Sequence, residues 1–278
     1  MTSTPFRLDV FRRAALCRNF EEYVFQGIRD KLFKFPIYLS GGQEYISATI
    51  AQVMFASGIA PNIFIQHRGH STYLSYEAPV EGLIDELLGR PTGCTYGMGG
   101  SASIHSKEKD IYGHDGLMGS QVPIAVGHAY STQQPTIVHI GDASAEEDYA
   151  LAALGWASTK NLSILFIVED NNLSILTEKK VRRNWEMDTF ARSVGVNAEN
   201  ITDDPNEICN SLNKLSLPAL LNVRTDRLFW HAGAGIDEYD KVDRYKLQMD
   251  ELGDDAHNIH NKTKTYINQL WDSHLENK

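Results

Sequence analysis

Two β-branched runs, each ending in oxygen-bearing side chains, constrain this chain more than any other feature. One runs from Thr136 to Gly141 and closes on Asp142. The other runs from Leu162 to Asp170 and closes on Asn171 and Asn172, about thirty residues further on. The stretch between them, from about Ala145 to Thr159, suits a helix. A strand, a crossover helix and a parallel strand deliver both sets of polar ends to the same carboxyl edge of one sheet. A carboxylate, a carboxamide and a nearby backbone carbonyl form an incomplete shell for a hard octahedral cation. Magnesium completes such shells with water and the phosphate oxygens of a ligand. The pattern therefore points to a magnesium–diphosphate site, with a turn and a plain loop as the structural alternative.

Composition bounds the rest. At 278 residues and 42% hydrophobic content the chain can bury one large core, and a single α/β domain over residues 1–278 is expected. A net charge of −10 argues against nucleic acid or an anionic membrane as partner. It also means that a diphosphate must be held by cations placed locally. Cys17, Cys94 and Cys209 have no metal or redox spacing, so reduced structural thiols are expected. The first twenty residues carry Arg7, Arg12, Arg13 and Arg18 around no apolar core, and no run approaches membrane-spanning length, which makes a cytoplasmic protein the expectation.

Periodicity predicts an amphipathic helix over about 5–35 and a second over 43–56, where Ile46, Ile50, Val53 and Met54 share a face. It also predicts a short strand over 62–66 ending at His67 and Arg68, and a helix over 122–132 whose Ala125, Gly127 and Ala129 suit close packing against another chain. A late strand, 219–223, ends near Arg224 and Arg227, and a polar helical extension follows from 241 to 278. Residues 89–120 hold eight glycines and little periodicity. A loop of that length in a compact domain is more often functional than idle.

Several of these pieces occur together in one known order. Gly42-Gln43-Glu44, the run His67 to His70, Gly97 to Ser101 with His105, Gly116 to Ala125, Gly141-Asp142-Ala143 followed by Asn171-Asn172, and Arg227 with His231 span roughly Pro36 to Tyr245. In that order they resemble the alpha subunit of two-chain, thiamine diphosphate-dependent 2-oxo acid dehydrogenases, acetoin dehydrogenase relatives included. The resemblance implies a mostly parallel sheet with helices on both faces, the thiamine diphosphate-binding fold, and an oxidoreductase. It implies that Asp142, Asn172 and the backbone carbonyl of Ser174 hold Mg2+. Arg68, Arg227 and His231 would meet the diphosphate, with His67 standing where the family usually has tyrosine. Gly116 would accept a hydrogen bond from the cofactor's exocyclic amine, and Met118 would wedge between its two rings, a task suited to a flexible thioether. His231, His70 and His105 would serve the reaction channel.

The same resemblance implies a partner. The glutamate that activates the aminopyrimidine ring comes from a separate beta subunit in this family, and Glu44 resembles a structural residue instead. A heterotetramer of two alpha and two beta chains is expected, inactive as the alpha chain alone. Its substrate would be a small 2-oxo acid or acetoin, and its acceptor a lipoyl-bearing acyltransferase, a sugar aldehyde or another carbonyl.

Departures are also visible. Ala143 replaces the usual glycine, Tyr38 stands where a histidine is common, and Ala152 where a glutamate is. A serine-bearing segment beyond the His231 motif is absent. Together with Glu146-Glu147 and the stretch from His231 to Gly235, these argue against pyruvate as the specific substrate. Two other readings remain at this level. One is the N-terminal subunit of a split transketolase, against which Gly42 to Glu44 and Gly97 to Ser101 count. The other is a degenerate scaffold subunit, whose support is Ala143.

Overall fold

The computed structural model describes residues 2–233 and 240–276. The described residues hold eight strands: β1 (Asn62–Phe64), β2 (Ile111–Tyr112), β3 (Thr136–Gly141), β4 (Ile164–Asp170), β5 (Leu173–Ser174), β6 (Thr177–Glu178), β7 (Asn197–Thr202) and β8 (Ala219–Arg224). Six of them form one sheet in the order β2-β1-β3-β4-β8-β7, with every pair parallel, while β5 and β6 make a small antiparallel hairpin. The helices are α1 (Thr4–Arg29), α2 (Glu44–Ala56), α3 (His70–Ser75), α4 (Val80–Leu87), α5 (Gln121–Thr132), α6 (Asp148–Thr159), α7 (Lys179–Arg182), α8 (Met187–Ser193), α9 (Pro205–Lys214), α10 (Arg244–Leu252) and α11 (Asp254–Glu276).

The central strands are apolar on both faces, as a sheet covered on two sides requires. Val138, Ile140, Phe166, Val168 and Leu220 pack with Val122, Ala125 and Ala129 of α5 and Ala153 and Leu154 of α6. Their alternating neighbours Ile137, Leu165, Ile167, Leu221 and Val223 pack with Ile46 and Ile50 of α2 and Ile208 of α9. The expected α/β sheet is thus present, built around Asp142 and Asn171 at adjacent strand ends. Gly141 is level with Glu169 in the β3–β4 register, so the next residues of both strands emerge side by side.

Some boundaries differ from expectation. α1 stops at Arg29 because the chain turns through a left-handed Lys31, with φ of 57°, well before Pro36. The crossover helix α6 starts at Asp148, and Ser144–Glu146 form a separate 3-10 turn. Cys17, Cys94 and Cys209 are free thiols. No helix among the described residues is long and apolar enough to cross a membrane.

Candidate active site

Loops from the carboxyl edge of five neighbouring strands, β2, β1, β3, β4 and β8, converge on a cavity of about 500 Å³. That size falls within the range typical of cofactor sites. Asp142 follows β3 and Asn171 follows β4, at the centre of the edge. Arg68 follows β1 on one flank and Arg227 follows β8 on the other, and all four line the cavity. The strand order, rather than any local motif, thus sets a carboxylate and a carboxamide between two guanidiniums.

Asp142 is buried, and the Arg182 guanidinium donates to its Oδ2 at 2.5 Å. Burial and the neighbouring Asp170 carboxylate push its carboxyl up to about 6, and Arg182 opposes them. Asn171, not Asn172, faces the cavity. Asn172 is exposed and takes the left-handed turn with φ of 64°, which asparagine tolerates better than most residues. Asn171 is also the better anchored of the two. Its side-chain amide donates to Gln43 at 3.0 Å, Gln43 donates to Glu169 at 2.7 Å, and the Glu169 carboxylate lies 2.9 Å from His139 Nδ1. This buried chain of polar groups gives Gln43 its role and fixes the Asn171 carboxamide from beneath the sheet edge. Leu173 and Ser174 both line the cavity. Of the expected pair Asn172 and Ser174, the cavity wall thus holds Ser174 but has Asn171 in place of Asn172.

Ala143 sits at φ −74° and ψ −40°, an ordinary helical conformation, so the turn after Asp142 has no need of glycine. At Gly141 the approach is tighter: a Cβ there would stand 3.1 Å from the Gln66 side-chain oxygen. Gly116 lines the cavity at φ +100°, a conformation that side chains avoid, and Met118 lines it two residues on.

The histidines divide sharply. Arg68 donates to the Leu39 carbonyl and to His231 Nδ1, the latter at 3.1 Å. His231 must therefore accept at Nδ1, and Nε2 is the nitrogen left to carry a proton. His67 lies 5.8 Å from the His231 ring and 5.0 Å from Tyr38. Burial, then the Arg68 charge, hold His67 well below the ordinary imidazole value, so it stays neutral at pH 7. His114, 5.9 Å from His67, was given no role by sequence reasoning, yet it lines the cavity with a buried Nε2 that has no partner among the described residues. Its signal was the dipeptide Gly113-His114 beside Gly116, inside a glycine-rich loop that otherwise looked uniform.

His70 and His105, expected in the reaction channel, are elsewhere. His70 is buried in the core, bonded to Glu21 at 2.7 Å and Ser101 at 3.0 Å, and ties α1 to the glycine-rich loop. The period that starts α3 at His70 turns this side chain inward, away from Arg68. His105 is exposed and accepts from the Gly113 backbone at 3.2 Å, outside the cavity wall. Gly97 to Gly100 are also structural: their loop is organised by Glu86, a residue the sequence did not mark. Of the stretch from His231 to Gly235, Ala234 and Gly235 lie outside the described residues.

Comparison with known proteins agrees with this geometry. A family model described as "Dehydrogenase E1 component" matches residues 12–211. The chain belongs to that family. Among curated relatives, the pyruvate dehydrogenase E1 component subunit alpha of Rickettsia prowazekii is 26% identical over 85% of this chain and 77% of that protein. The mitochondrial pyruvate dehydrogenase E1 component subunit alpha-1 of Oryza sativa is 28% identical, over 64% of this chain but 46% of its own length. Among solved structures, transketolase from Campylobacter jejuni superposes with a TM-score of 0.59 over 97% of this chain and 49% of that one. Transketolase from Leishmania mexicana gives 0.60 over 99% and 46%. At 13% identity these two show a shared fold. The chain thus spans about half the length of the transketolases and of the rice subunit.

Proposed function

We propose that this chain is the alpha subunit of a heteromeric, thiamine diphosphate-dependent enzyme that decarboxylates a 2-oxo acid and passes the acyl unit to an acceptor. The observation that carries this reading is the strand-edge arrangement itself: Asp142 and Asn171 at adjacent strand ends, flanked by Arg68 and Arg227, around a cavity of cofactor size. Membership of the dehydrogenase E1 component family supports it.

The residues present fit the cofactor. Buried cationic donors face a cavity, and a diphosphate supplies the acceptors they need. Arg68 and Arg227 would grip phosphate oxygens. Asp142, Asn171 and the Ser174 carbonyl would hold Mg2+. Gly116 and Met118 line the cavity where the two rings of the cofactor would be bent against one another. When bound, thiamine diphosphate supplies the carbanion and the electron sink. The chain's own task is to orient it and to manage protons. His231, with its proton on Nε2, is placed to donate to a reacting oxygen. Neutral His67 and His114 can relay protons without adding charge to a site already rich in arginine.

A beta chain completes the reading by contributing the activating glutamate. Ile124 and Tyr130 on α5 and Trp156 on α6 are about half exposed, and Leu117, between cavity-lining Gly116 and Met118, is 60% exposed, apolar surface that such a partner would cover. A lipoyl-bearing acyltransferase is the acceptor we favour for a member of this family. The test is calorimetric titration of thiamine diphosphate with Mg2+ into the chain co-expressed with its beta partner, followed by a 2-oxo acid decarboxylation assay. Saturable binding and turnover that require both chains are expected. An assembled complex that binds no cofactor would sink the proposal.

A further inference from the structure

Arg182 stands where a divalent ion would approach Asp142. Its Nη2 is 2.5 Å from Asp142 Oδ2 and 3.3 Å from Glu146 Oε1, and the residue lines the cavity. Among the described residues, its buried Nε and Nη1 have no hydrogen-bond partner. Two buried, idle donors on a guanidinium are costly unless an anion comes to meet them.

The placement is built into the fold. Arg182 ends the short helix α7, and Lys179 at its start is bonded to Asp170 at 2.7 Å and Glu186 at 3.1 Å. The Lys179 backbone N–H donates to the Asn172 carbonyl at 2.9 Å. On the far side, Arg183 is buried against the Trp185 ring at 4.8 Å and donates to the Asp142 carbonyl at 3.3 Å. Pinned at both ends, the helix holds Arg182 at the cavity wall.

We propose that Arg182 is a resident counter-cation that gives up Asp142 to the divalent ion and takes a phosphate oxygen of the incoming diphosphate in exchange. This rests on the cofactor reading above. Without ligand, the guanidinium neutralises Asp142 and Glu146. A divalent ion arriving alone must displace it with three protein donors and water. When it arrives with a diphosphate, phosphate oxygens complete the metal's shell and also meet Arg182 Nε and Nη1. Ion and cofactor therefore bind with strong synergy, and metal alone binds poorly.

The test uses the cofactor-free alpha–beta complex, with Mn2+ as probe and free Mn2+ read by electron paramagnetic resonance. For the native complex, thiamine diphosphate should tighten Mn2+ binding at least tenfold. Arg182→Met should bind Mn2+ alone at least fivefold tighter than the native complex does, and thiamine diphosphate in the presence of Mn2+ at least fivefold more weakly. Arg182→Lys, which keeps a cation, should retain the native order. Equal affinity of native and Met variants for Mn2+ alone, including no detectable binding by either, would overturn the exchange. Failure of the cofactor reading looks different: no binding of thiamine diphosphate by the native complex at any Mn2+ concentration, which would remove both.

Discussion

The glycine-rich loop around Glu86 and the cavity around Asp142 treat negative charge in opposite ways. Glu86 is buried, and its carboxylate accepts four backbone N–H groups, from Thr95 and Gly97 on one oxygen and from Gly99 and Gly100 on the other, all at 2.8 to 2.9 Å. Helix α4 supplies that loop with an anion, and the loop's own backbone satisfies it. In the cavity the balance is reversed: buried donors on Arg182 and a buried nitrogen on His114 have no partner among the described residues. Both regions carry glycines and charges, and both resemble family motifs in sequence. Satisfaction separates them. A polar cluster that closes on itself is scaffold, and one that leaves buried donors open is a place for a ligand.

The strongest way to break this contrast is to remove the central carboxylate of the open site. Asp142→Ala should lower metal-dependent affinity for thiamine diphosphate by about 100-fold or more, near 2.7 kcal/mol, and leave the melting temperature within a few degrees. Calorimetry and thermal unfolding of the same sample check both halves; unchanged affinity would remove Asp142 from the ligand set. The closed site should respond the other way. Glu86→Gln should cost about 2–4 kcal/mol of stability, because charge-assisted bonds are lost and one amide end now faces backbone donors. Cofactor affinity of the folded fraction should change less than threefold, and a large affinity loss without destabilisation would erase the contrast.

The effect of pH sharpens it further. Burial alone would raise the Glu86 carboxyl, but the backbone donors of Gly97, Thr95 and Gly100 outweigh it and hold the group below its ordinary value. A carboxylate depressed in the folded state contributes stability above its unfolded value and loses that contribution as pH falls through the folded one. Hydrogen exchange over residues 93–101, corrected for intrinsic rates, should therefore show protection that declines below about pH 4.5. In Glu86→Gln that decline should disappear. The smallest effect expected is that of Ala143→Gly. Restoring the family residue at a helical φ should destabilise by no more than about 1 kcal/mol and should not improve cofactor binding. A clear gain in affinity would show that this turn matters after all.

Much of the fold was legible in residue order. β-branched runs ending in polar residues, with a helix-compatible stretch between, predict parallel strands that deliver Asp142 and the Asn171-Asn172 pair to one edge, and β3, α6 and β4 do so. Gly116 and Met118 were singled out by the family resemblance, since their local pattern alone reads as a turn, and both line the cavity. Histidine was the hardest residue to place. His70, His105 and His114 lie in similar polar, glycine-bearing surroundings along the chain, yet one is in the core, one on the surface and one in the cavity.

Sequence by itself determined the strand ends, their spacing and the cations that follow them, since local propensity and hydrophobic period act over a few residues at a time. Tertiary structure alone decided which neighbour of a pair turns inward. A single left-handed residue at position 172 sends Asn171 to the cavity and Asn172 to solvent. It also decided which polar groups close on one another, as Glu86 does with residues far along its loop, and which stay open. Those outcomes depend on contacts between segments distant in sequence, and on the unequal cost of leaving a buried donor unmet in one place and not in another.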